Sequence, residues 1–355
     1  MNKKKSPERN RIFWKVTCIV LGLILTCMLG GTAYLEHLLN QVNYIEPDAP
    51  TPTLSVEEVE EILQEEDEEE TVPVEYTGPV EKEEDIVLVN PNAVIGGKDI
   101  VNVLLVGKDK DVGGGSRTDS MILVTLNKGK KSITLTSFLR DMYVRIPEYK
   151  KDRLNTAYTL GGVQLLNETL QTNFGIEIDG NVEIDFSHFR KLINLLGGVE
   201  IELNEQEAAW INKKTKSNDV TAGVQLLNGK QALWYARFRG DALGDFNRTN
   251  RQRVVLSTLI DAYKGKSFPE LVSLLDEILP MVTTDFEKKE ILTHAITFFP
   301  MLSSVDIVTQ RIPADDCYYL TMVDGKSVVV PRIQQNVAFL LETLGGSAEE
   351  DPGVG

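Results

Sequence analysis

Residues 100–141 read IVNVLLVGKDKDVGGGSRTDSMILVTLNKGKKSITLTSFLRD. Three apolar runs in this stretch have the length and the β-branched composition of buried strands, and turns rich in glycine, lysine and asparagine separate them. These runs are 101–106, 121–126 and 132–137. Charged residues follow or precede each run directly, so pairing of the strands places several of these side chains along one rim of a sheet.

Helix and strand patterns alternate along the rest of the chain after residue 98. Apolar residues recur at helical spacing in some segments, and shorter apolar runs lie between them. The predicted helices are 162–174, 186–196, 248–263, 267–280, 286–300 and 334–344. The further predicted strands are 199–203, 234–239, 305–312 and 327–330. Strands mixed with helices favour an α/β fold in which helices cover a sheet.

The acidity of the chain is concentrated in one segment. Residues 46–85 contain 17 acidic residues and one basic residue, which accounts for the whole formal net charge of −16. Such runs repel themselves and stay extended. We therefore predict an acidic linker over 36–97, a globular domain over 98–346 and a flexible tail over 347–355. The domain itself is close to neutral, so an anionic ligand is not excluded.

The N-terminus has the pattern of a membrane anchor. A basic tail, residues 1–12, precedes a predicted transmembrane helix over 13–35, and about 20 apolar residues in a helix span a bilayer core. The positive flank predicts a cytoplasmic N-terminus and an extracytoplasmic domain in the cell membrane. The alternative is a cleaved signal peptide, with Gly31-Thr32-Ala33 as the cleavage site. Beyond the anchor only Cys317 remains, so no internal disulfide is expected.

Two aspartates flank neighbouring predicted strands. Asp109 follows the first strand and Asp119 precedes the second, so pairing of these strands brings both carboxylates to one rim. Carboxylate oxygens are the ligands that hard divalent cations prefer, which makes the pair a candidate site for Mg²⁺ or Mn²⁺. Arg117 lies beside them in the sequence. On spacing alone, the same residues also fit an ordinary polar loop.

Arginines are concentrated between residues 237 and 253, with no lysine among them. Arg237 and Arg239 share one face of a predicted strand, and Arg248, Arg251 and Gln252 share one side of a predicted helix near its N-terminus. Guanidinium groups bind phosphate through two parallel donors, and a helix N-terminus adds free N–H groups. The set predicts a pyrophosphate site. Alternatively, these arginines are solvated or paired with nearby carboxylates.

The sequence also predicts the positions of three further residues near these clusters. Arg140 ends the third strand and faces the same rim, although an ion pair with Asp141 is the alternative. Asn247 is the predicted N-cap of the helix that carries Arg248. Arg253 is predicted to point away from the others and to lie on the surface.

Several ordered motifs resemble those of the LytR-CpsA-Psr family of bacterial envelope proteins. Each motif is weak alone, but their order and spacing over residues 99–345 make the match specific. In chain order they are Gly107-Lys-Asp109, Arg117-Thr-Asp119-Ser-Met, Thr136-Ser-Phe-Leu-Arg140-Asp141, Leu154-Asn-Thr-Ala-Tyr158, Leu196-Gly-Gly-Val, Leu227-Asn-Gly-Lys-Gln-Ala-Leu-Trp-Tyr-Ala-Arg-Phe-Arg239 and Asp245-Phe-Asn-Arg248-Thr-Asn-Arg-Gln252-Arg.

The resemblance implies a three-layer α/β/α domain with a central mixed sheet and a hydrophobic pocket for a polyprenyl lipid. It implies a phosphotransferase that moves a glycopolymer from a polyprenyl-pyrophosphate carrier to the C6 hydroxyl of a muramic acid residue in peptidoglycan. The implied partners are the lipid-linked glycopolymer, the peptidoglycan acceptor and the membrane, with no nucleic acid. A non-catalytic module that binds lipid intermediates, and a hydrolase of the same pyrophosphate, stay open as alternatives.

The resemblance also assigns roles by motif. Asp109 and Asp119 are the implied metal ligands, and Asp245 orients an arginine or assists the metal site. The implied catalytic set is Asp109, Asp119, Arg140, Arg237, Arg239 and Asp245. The implied pyrophosphate-binding set is Arg117, Arg140, Arg153, Arg237, Arg239, Arg248, Arg251 and Gln252. By pattern alone, the apolar candidates for the pocket are core residues, and a lipid pocket would be a hollow version of the same core; the candidates are Leu165, Leu166, Leu170, Phe186, Phe189, Ile193 and Leu196.

Overall fold

The structure, a computed structural model, describes residues 36–37, 39–45, 93–108, 118–240, 244–264, 266–298, 304–323 and 325–348. Its strands are β1 (Asn43–Tyr44), β2 (Ala93–Val94), β3 (Ile100–Lys108), β4 (Thr118–Asn127), β5 (Ser132–Phe138), β6 (Tyr143–Val144), β7 (Asp152–Arg153), β8 (Gly180–Asp185), β9 (Val199–Leu203), β10 (Gly223–Leu227), β11 (Thr283–Thr284), β12 (Asp306–Ile312), β13 (Tyr318–Val323), β14 (Lys326–Pro331) and β15 (Ser347–Ala348).

The helices lie between these strands along the chain. They are α1 (Leu154–Phe174), α2 (Phe186–Leu195), α3 (Glu205–Thr215), α4 (Gly229–Ala236), α5 (Asp245–Tyr263), α6 (Phe268–Ile278), α7 (Lys288–Phe298) and α8 (Ile333–Leu344). α1 is interrupted at Gly161 and Gly162, whose backbone angles are not helical. No helix in the described part of the chain is long and apolar enough to cross a membrane, and the predicted anchor over 13–35 lies outside that part.

A mixed sheet forms the centre of the fold, in the order β1-β11-β8-β3-β4-β5-β12. The three runs of residues 100–141 are its neighbouring strands β3, β4 and β5, and β4 is antiparallel to both. β8 joins β3 in parallel, and β12 joins β5 in parallel. The ends of β3 and β5 therefore meet the start of β4 at one rim, as predicted. The predicted α/β class with a central mixed sheet is confirmed.

The two faces of the central sheet pack against different partners. Leu104 and Leu123 point to one face, where helices α1 and α8 bury them in the largest apolar core. Leu105 and Ile122 point to the other face, where helix α5 contributes Leu256. A separate apolar core joins α2, α3, α4 and Val255 of α5 to the antiparallel strand pair β9–β10. Helices thus contact both faces of the sheet, and the second face carries an additional helical layer.

Segments at both ends of the domain add short strands to it. β1 pairs in parallel with β11 at the edge of the central sheet, and Leu39 and Val42 beside it are buried. β2 pairs with β15, which lies in the predicted tail. The folded domain therefore extends past the predicted 98–346 on both sides. Residues 46–92 of the predicted linker lie outside the described residues.

The strand predicted over 234–239 is wrong. Trp234 belongs to helix α4, which begins after a capping box in which Asn228 accepts from the backbone of Gln231 and the Gln231 side chain accepts from the backbone of Asn228. Arg237 is the C-cap of α4, so Arg237 and Arg239 share a turn and not a strand face. The predicted N-cap Asn247 is also wrong, because α5 begins at Asp245 after Gly244.

Asn102 is the polar residue that joins several parts of the core. It is fully buried on β3, where its amide donates to the carbonyls of Ile95 and Glu177 and accepts from the hydroxyl of Thr125. All of these hydrogen bonds cross between separate segments of the chain. The side chain therefore fixes the β2 segment against the central sheet.

Replacing Asn102 should destabilise the domain. We expect Asn102→Ala to lower the free energy of unfolding by about 2–3 kcal/mol, because it leaves buried carbonyl and hydroxyl groups without partners. Urea denaturation of the full-length protein measures this change. The matched control is Asn218→Ala on an exposed loop, which should change stability by less than about 0.5 kcal/mol. Equal stability of the two variants would contradict the assigned role of Asn102.

Candidate functional site

A deep apolar pocket lies between the second face of the central sheet and the helical layer beyond it. Its volume is about 600 Å³. The sheet contributes Leu105, Ile122, Val182 and Ile184, which alternate with the buried residues of the opposite face. The helices close the pocket with Phe186, Phe189, Leu192, Trp210, Leu233, Val255, Leu256 and Leu259. The first face of the sheet is therefore filled, whereas the second face is packed by α5 beside β5 and β12 and is hollow beside β3 and β8.

One end of the pocket carries charged side chains that meet at Asp119. Asp119 lies at the start of β4 and is 7% exposed. Its Oδ1 accepts from Nη1 of Arg140 at 2.8 Å and Nη1 of Arg248 at 3.4 Å, and Nη2 of Arg239 lies 3.6 Å away. The three arginines come from the end of β5, the turn after α4 and the first turns of α5. The fold, and no local motif, assembles this cluster.

Asp245 is the second carboxylate of the cluster. Its Oδ1 lies 2.9 Å from Nη2 of Arg248, 3.6 Å from Nε of Arg140 and 3.7 Å from Nε of Arg239. Each of the three guanidinium groups therefore contacts both carboxylates. Arg237 and Arg153 add two positive charges near this group and Asp141 adds one negative charge, so five arginines against three aspartates leave an excess of positive charge, which suits an anionic ligand.

Burial and neighbouring charges act on Asp119 in opposite directions. Burial alone would raise the pKa of Asp119. The guanidinium charges outweigh burial and hold this pKa well below its usual value; in decreasing order they belong to Arg248, Arg140, Arg239 and Arg237. Asp119 is therefore a carboxylate throughout the physiological pH range. A group of such low basicity is poorly suited to accept a proton from a sugar hydroxyl.

The surroundings disfavour the charged form of Arg239, whereas they favour the charged form of Asp119. Burial, followed by the charges of Arg248 and Arg140, lowers the pKa of Arg239 to about 10, although Asp245 and Asp119 oppose this change. Arg239 is still a cation at neutral pH. Partial desolvation strengthens its attraction for an incoming anion, because fewer water dipoles compete with the ligand.

Arg237 and Gln252 extend the charged cluster towards the apolar pocket. Arg237 lines the pocket, with its guanidinium carbon 4.8 Å from the ring centre of Phe186 and 5.3 Å from that of Trp234. Such stacking orients the guanidinium plane. Gln252 also lines the pocket, and its amide lies 3.4 Å from the backbone carbonyl of Asp119. Arg237, Arg239, Arg248 and Gln252 thus lie at the same mouth.

Arg251 does not join this cluster. Its Nε donates to Oε1 of Glu207 at 2.7 Å, and its Nη1 donates to the carbonyl of Phe238 at 3.2 Å. Both Arg251 and Glu207 are buried. The helical side that was predicted to hold Arg248, Arg251 and Gln252 together is therefore divided, and the structure places Arg251 in an ion pair outside the pocket lining.

Arg153 is connected to the cluster through a carboxylate. Its Nη1 lies 3.5 Å from Oδ1 of Asp141, whose Oδ2 lies 3.6 Å from Nε of Arg140. Arg153 is buried and does not line the pocket. The ion pair between Arg140 and Asp141, which the sequence offered as an alternative, is present together with the contact between Arg140 and Asp119.

Of the two aspartates predicted to hold a metal ion, the structure describes Asp119. Asp109 and Arg117 lie outside the described residues. Asp119 is the ionised oxygen donor that Mg²⁺ requires, although its Oδ1 already contacts three arginines. Within the described ranges, no three Asp, Glu, His or Cys side chains come close enough to hold a metal ion. The site stays a prediction that depends on Asp109 and on oxygen atoms of a ligand.

The apolar residues predicted for the pocket divide between two places. Phe186 and Phe189 line it. Leu165, Leu166 and Leu170 are packed in the core on the opposite face of the sheet, Ile193 is packed in the outer helical core, and Leu196 is not in the lining. Four lining residues from the sheet were not predicted, namely Leu105, Ile122, Val182 and Ile184. Their only sequence signal is strand alternation, which is the same for a filled and a hollow face.

The sequence of the chain matches the model of one protein family. The model of the LytR-CpsA-Psr family matches residues 63–342, which include every described residue of the pocket and the cluster. The chain belongs to the LytR-CpsA-Psr family. The resemblance inferred from the ordered motifs is therefore confirmed.

Individual members of the LytR-CpsA-Psr family are similar to this chain. Regulatory protein MsrR of Staphylococcus aureus strain COL is 39% identical over 237 residues, 65% of this chain and 71% of MsrR. The polyisoprenyl-teichoic acid–peptidoglycan teichoic acid transferase TagT of Bacillus subtilis strain 168 is 34% identical over 219 residues, 60% of this chain and 67% of TagT. A solved structure of TagT with bound octaprenyl pyrophosphate lipid matches 70% of this chain and 92% of its own, with 29% identity and a TM-score of 0.55.

Removing the charge of Asp119 should destabilise the domain. We expect Asp119→Asn to lower the free energy of unfolding at pH 7 by about 3 kcal/mol, because it removes the carboxylate that three buried guanidinium groups share. The pKa of Asp119 is lower in the folded protein than its reference value of 3.8, so its contribution is complete above about pH 4 and declines as the pH falls further. Urea denaturation at pH 7 and in steps below pH 4 should show a smaller acid-dependent loss in Asp119→Asn. Identical pH dependence in both proteins would contradict this assignment.

Arg251 and Arg239 should respond differently to the same substitution. We expect Arg251→Gln to lower the free energy of unfolding by about 3 kcal/mol, because it leaves Glu207 buried without its partner. Its affinity for pyrophosphate should stay close to that of the unmodified protein. Arg239→Gln is the matched variant, which should weaken pyrophosphate binding about tenfold or more. Isothermal titration with pyrophosphate and urea denaturation measure the two effects, and a loss of affinity in Arg251→Gln alone would overturn the placement of Arg251.

Proposed function

We propose that the protein is a membrane-anchored phosphotransferase that moves a glycopolymer from a polyprenyl-pyrophosphate carrier to peptidoglycan. The observation that carries this proposal is the apolar pocket that opens directly onto the arginine cluster. A polyprenyl pyrophosphate has the same division, with a long apolar tail attached to a compact anion. The pocket accepts the tail and the arginines bind the pyrophosphate.

The proposed reaction is an exchange of phosphoester bonds. The C6 hydroxyl of a muramic acid residue attacks the phosphorus atom next to the glycan, and a new phosphodiester bond forms. The bond from that phosphorus to the bridging oxygen breaks, and polyprenyl phosphate leaves with the bridging oxygen. The hydroxyl proton passes to a general base. Because phosphoryl transfer needs orientation and neutralisation of charge more than covalent catalysis, arginines are suited to it.

Individual residues of the mouth have separate tasks in this proposal. Arg140, Arg239 and Arg248 neutralise the oxygens of the pyrophosphate, and Arg237 and Gln252 bind it from the side of the apolar pocket. Asp119 and Asp245 hold the three arginines in fixed directions before the substrate arrives. The low basicity of Asp119 argues against Asp119 as the general base, and ligation of a cation would lower the basicity of Asp109 as well, so the proposal assigns the proton to neither residue.

A divalent cation completes the proposed site. Asp119 and Asp109 are the residues that would hold Mg²⁺ or Mn²⁺. When bound, such a cation withdraws negative charge from the pyrophosphate oxygens. The relatives support the substrate class, because TagT is named as a transferase that joins teichoic acid to peptidoglycan and its solved structure holds octaprenyl pyrophosphate. The membrane anchor over 13–35 is part of the proposal.

One labelled donor distinguishes transfer, hydrolysis and binding without reaction. Purified full-length protein is incubated with a radiolabelled polyprenyl-pyrophosphate glycan, peptidoglycan oligomers and Mg²⁺. We expect label to join peptidoglycan through a phosphodiester. Free sugar phosphate in place of that product would identify a hydrolase, and donor binding without turnover would identify a non-catalytic module. Either result would overturn the proposed transfer.

Filling the pocket should discriminate between donors by the length of the lipid tail. Val182 lies on β8 and faces the hollow side, so we expect Val182→Trp to occupy space that a long tail needs. The KM for a donor with a long polyprenyl chain should rise about tenfold, while the KM for a donor with a short prenyl chain should change little. The matched control is Val224→Trp, at a position that is 60% exposed on β10. Equal kinetics of both variants on both donors would contradict the assignment of the pocket to the lipid.

A further inference from the structure

Arg253 on α5 is a buried arginine that the proposed reaction does not use. The sequence placed it on the surface, but it is 6% exposed. Its Nη2 donates to the side chain of Asn250 at 3.2 Å. Its Nε and Nη1 are buried and have no hydrogen-bond partner among the described residues. Buried guanidinium donors without acceptors are costly, so their presence indicates that another group satisfies them.

A second arginine lies close to Arg253. Arg311 near the end of β12 stacks on Phe246 at 4.7 Å and on Tyr318 at 5.7 Å, measured from its guanidinium carbon to the ring centres. Phe246 and Tyr318 also stack on each other, with ring centres 5.0 Å apart. These rings hold the Arg311 guanidinium in a fixed orientation. Burial first, and then the charge of Arg311, lowers the pKa of Arg253 to about 10.

The available counter-charge at this pair is small. Arg311 contacts Asp315 and the carbonyl of Pro313. The Asp315 side chain is 88% exposed, so water screens its charge. Within the described ranges, Arg253 forms no ion pair with a carboxylate. Two like charges therefore lie together behind one solvated carboxylate, whereas the three arginines of the pocket mouth share two buried or half-buried ones.

The location of the pair connects it to the pocket mouth. Phe246 follows Asp245 in α5, and Asp245 contacts the arginines of the mouth. Arg253 and Gln252 are adjacent on α5, and Gln252 lines the pocket. Arg248 of the mouth and Arg253 are five residues apart on α5, so they are separated by about 7.5 Å along the helix axis and by about 140° around it. A polymer that extends from the mouth around α5 would reach the second cluster.

We propose that Arg253 and Arg311 form a second oxyanion site, which binds a phosphate group further along the donor chain. The phosphate would accept from the Nε and Nη1 groups of Arg253, and Arg311 would add charge from its aromatic stack. Phosphate binding at Arg253 and Arg311 does not require the transfer reaction proposed above. The source of the anion rests on the proposed function, because it requires a donor polymer that carries phosphodiester groups, as teichoic acids do.

Phosphate binding tests the site without any transfer assay. The purified full-length protein, Arg253→Met, Arg239→Gln and the double variant are titrated with inorganic phosphate, and binding is followed by calorimetry and by the melting temperature. We expect Arg239→Gln to weaken the mouth and to keep a phosphate-dependent rise in melting temperature. Adding Arg253→Met to this background should reduce that rise further. A rise in the double variant as large as that in Arg239→Gln would overturn the proposal.

A purely structural role for Arg253 predicts a different result. In phosphate-free buffer, we expect Arg253→Met to melt at the same temperature as the unmodified protein or higher, because it removes an unsatisfied buried cation. A lower melting temperature together with an unchanged phosphate response would identify a structural arginine.

The participation of Arg311 is tested by Asp315→Asn, which keeps Arg253 and removes the exposed counter-charge of Arg311. Asp315→Asn should therefore tighten phosphate binding. Unchanged affinity in this variant would contradict the proposed participation of Arg311.

The donor polymer tests the source of the anion. With donors of equal lipid tail, we expect Arg253→Met to reduce the ratio of kcat/KM for a phosphodiester-bearing chain to that for a neutral chain about tenfold. An unchanged ratio, combined with lost phosphate binding, would assign the site to free phosphate in place of the polymer. Absence of transfer in every protein would contradict the proposed function and leave the phosphate titrations as the test of the site.

Discussion

The guanidinium groups of Arg140, Arg239 and Arg248 converge on the single oxygen Oδ1 of Asp119, and the geometry of the whole mouth depends on this contact. Positive groups that are buried near one another repel, so without a shared anion they would separate or lose their orientation. Asp119 occupies the start of β4, between the ends of β3 and β5. The antiparallel pairing of these strands therefore fixes the position of the carboxylate, and the carboxylate fixes the arginines.

The hollow face of the sheet is the second requirement of the site. On the filled face, helices α1 and α8 pack directly on the strands and leave no space. On the other face, α2, α3 and α4 pack on one another, on the antiparallel strand pair β9–β10 and on α5, where they form a separate core. Because this layer is stabilised by its own contacts, it does not need to collapse onto the sheet. An apolar pocket in a folded domain requires such independent support, since an unsupported void would lower stability.

Much of the fold and part of the site could be predicted from the sequence. The strands β3, β4 and β5 follow from their apolar runs, and the rim that gathers Asp119 and Arg140 follows from their antiparallel order. The strand predicted around Arg237 and Arg239 was wrong. That prediction followed the β-prone residues Trp234 and Tyr235 and did not use the capping box of Asn228 and Gln231, which begins a helix. Helix α3 was missed, although Asn204 and Glu207 form the same kind of capping box.

The sequence by itself determined the α/β class, the family and the residue types that meet an anion, because strand periods and ordered motifs are local properties. Only the tertiary structure decided which arginines face the pocket. Gln252 contacts the backbone of Asp119, while its neighbour Arg251 pairs with Glu207, which lies 44 residues away along the chain, and Arg253 is buried beside Arg311. Neighbouring helical positions point in directions about 100° apart, so their partners depend on which elements pack around the helix. That packing also decided which face of the sheet is hollow, since a strand alternates identically against a void and against a core.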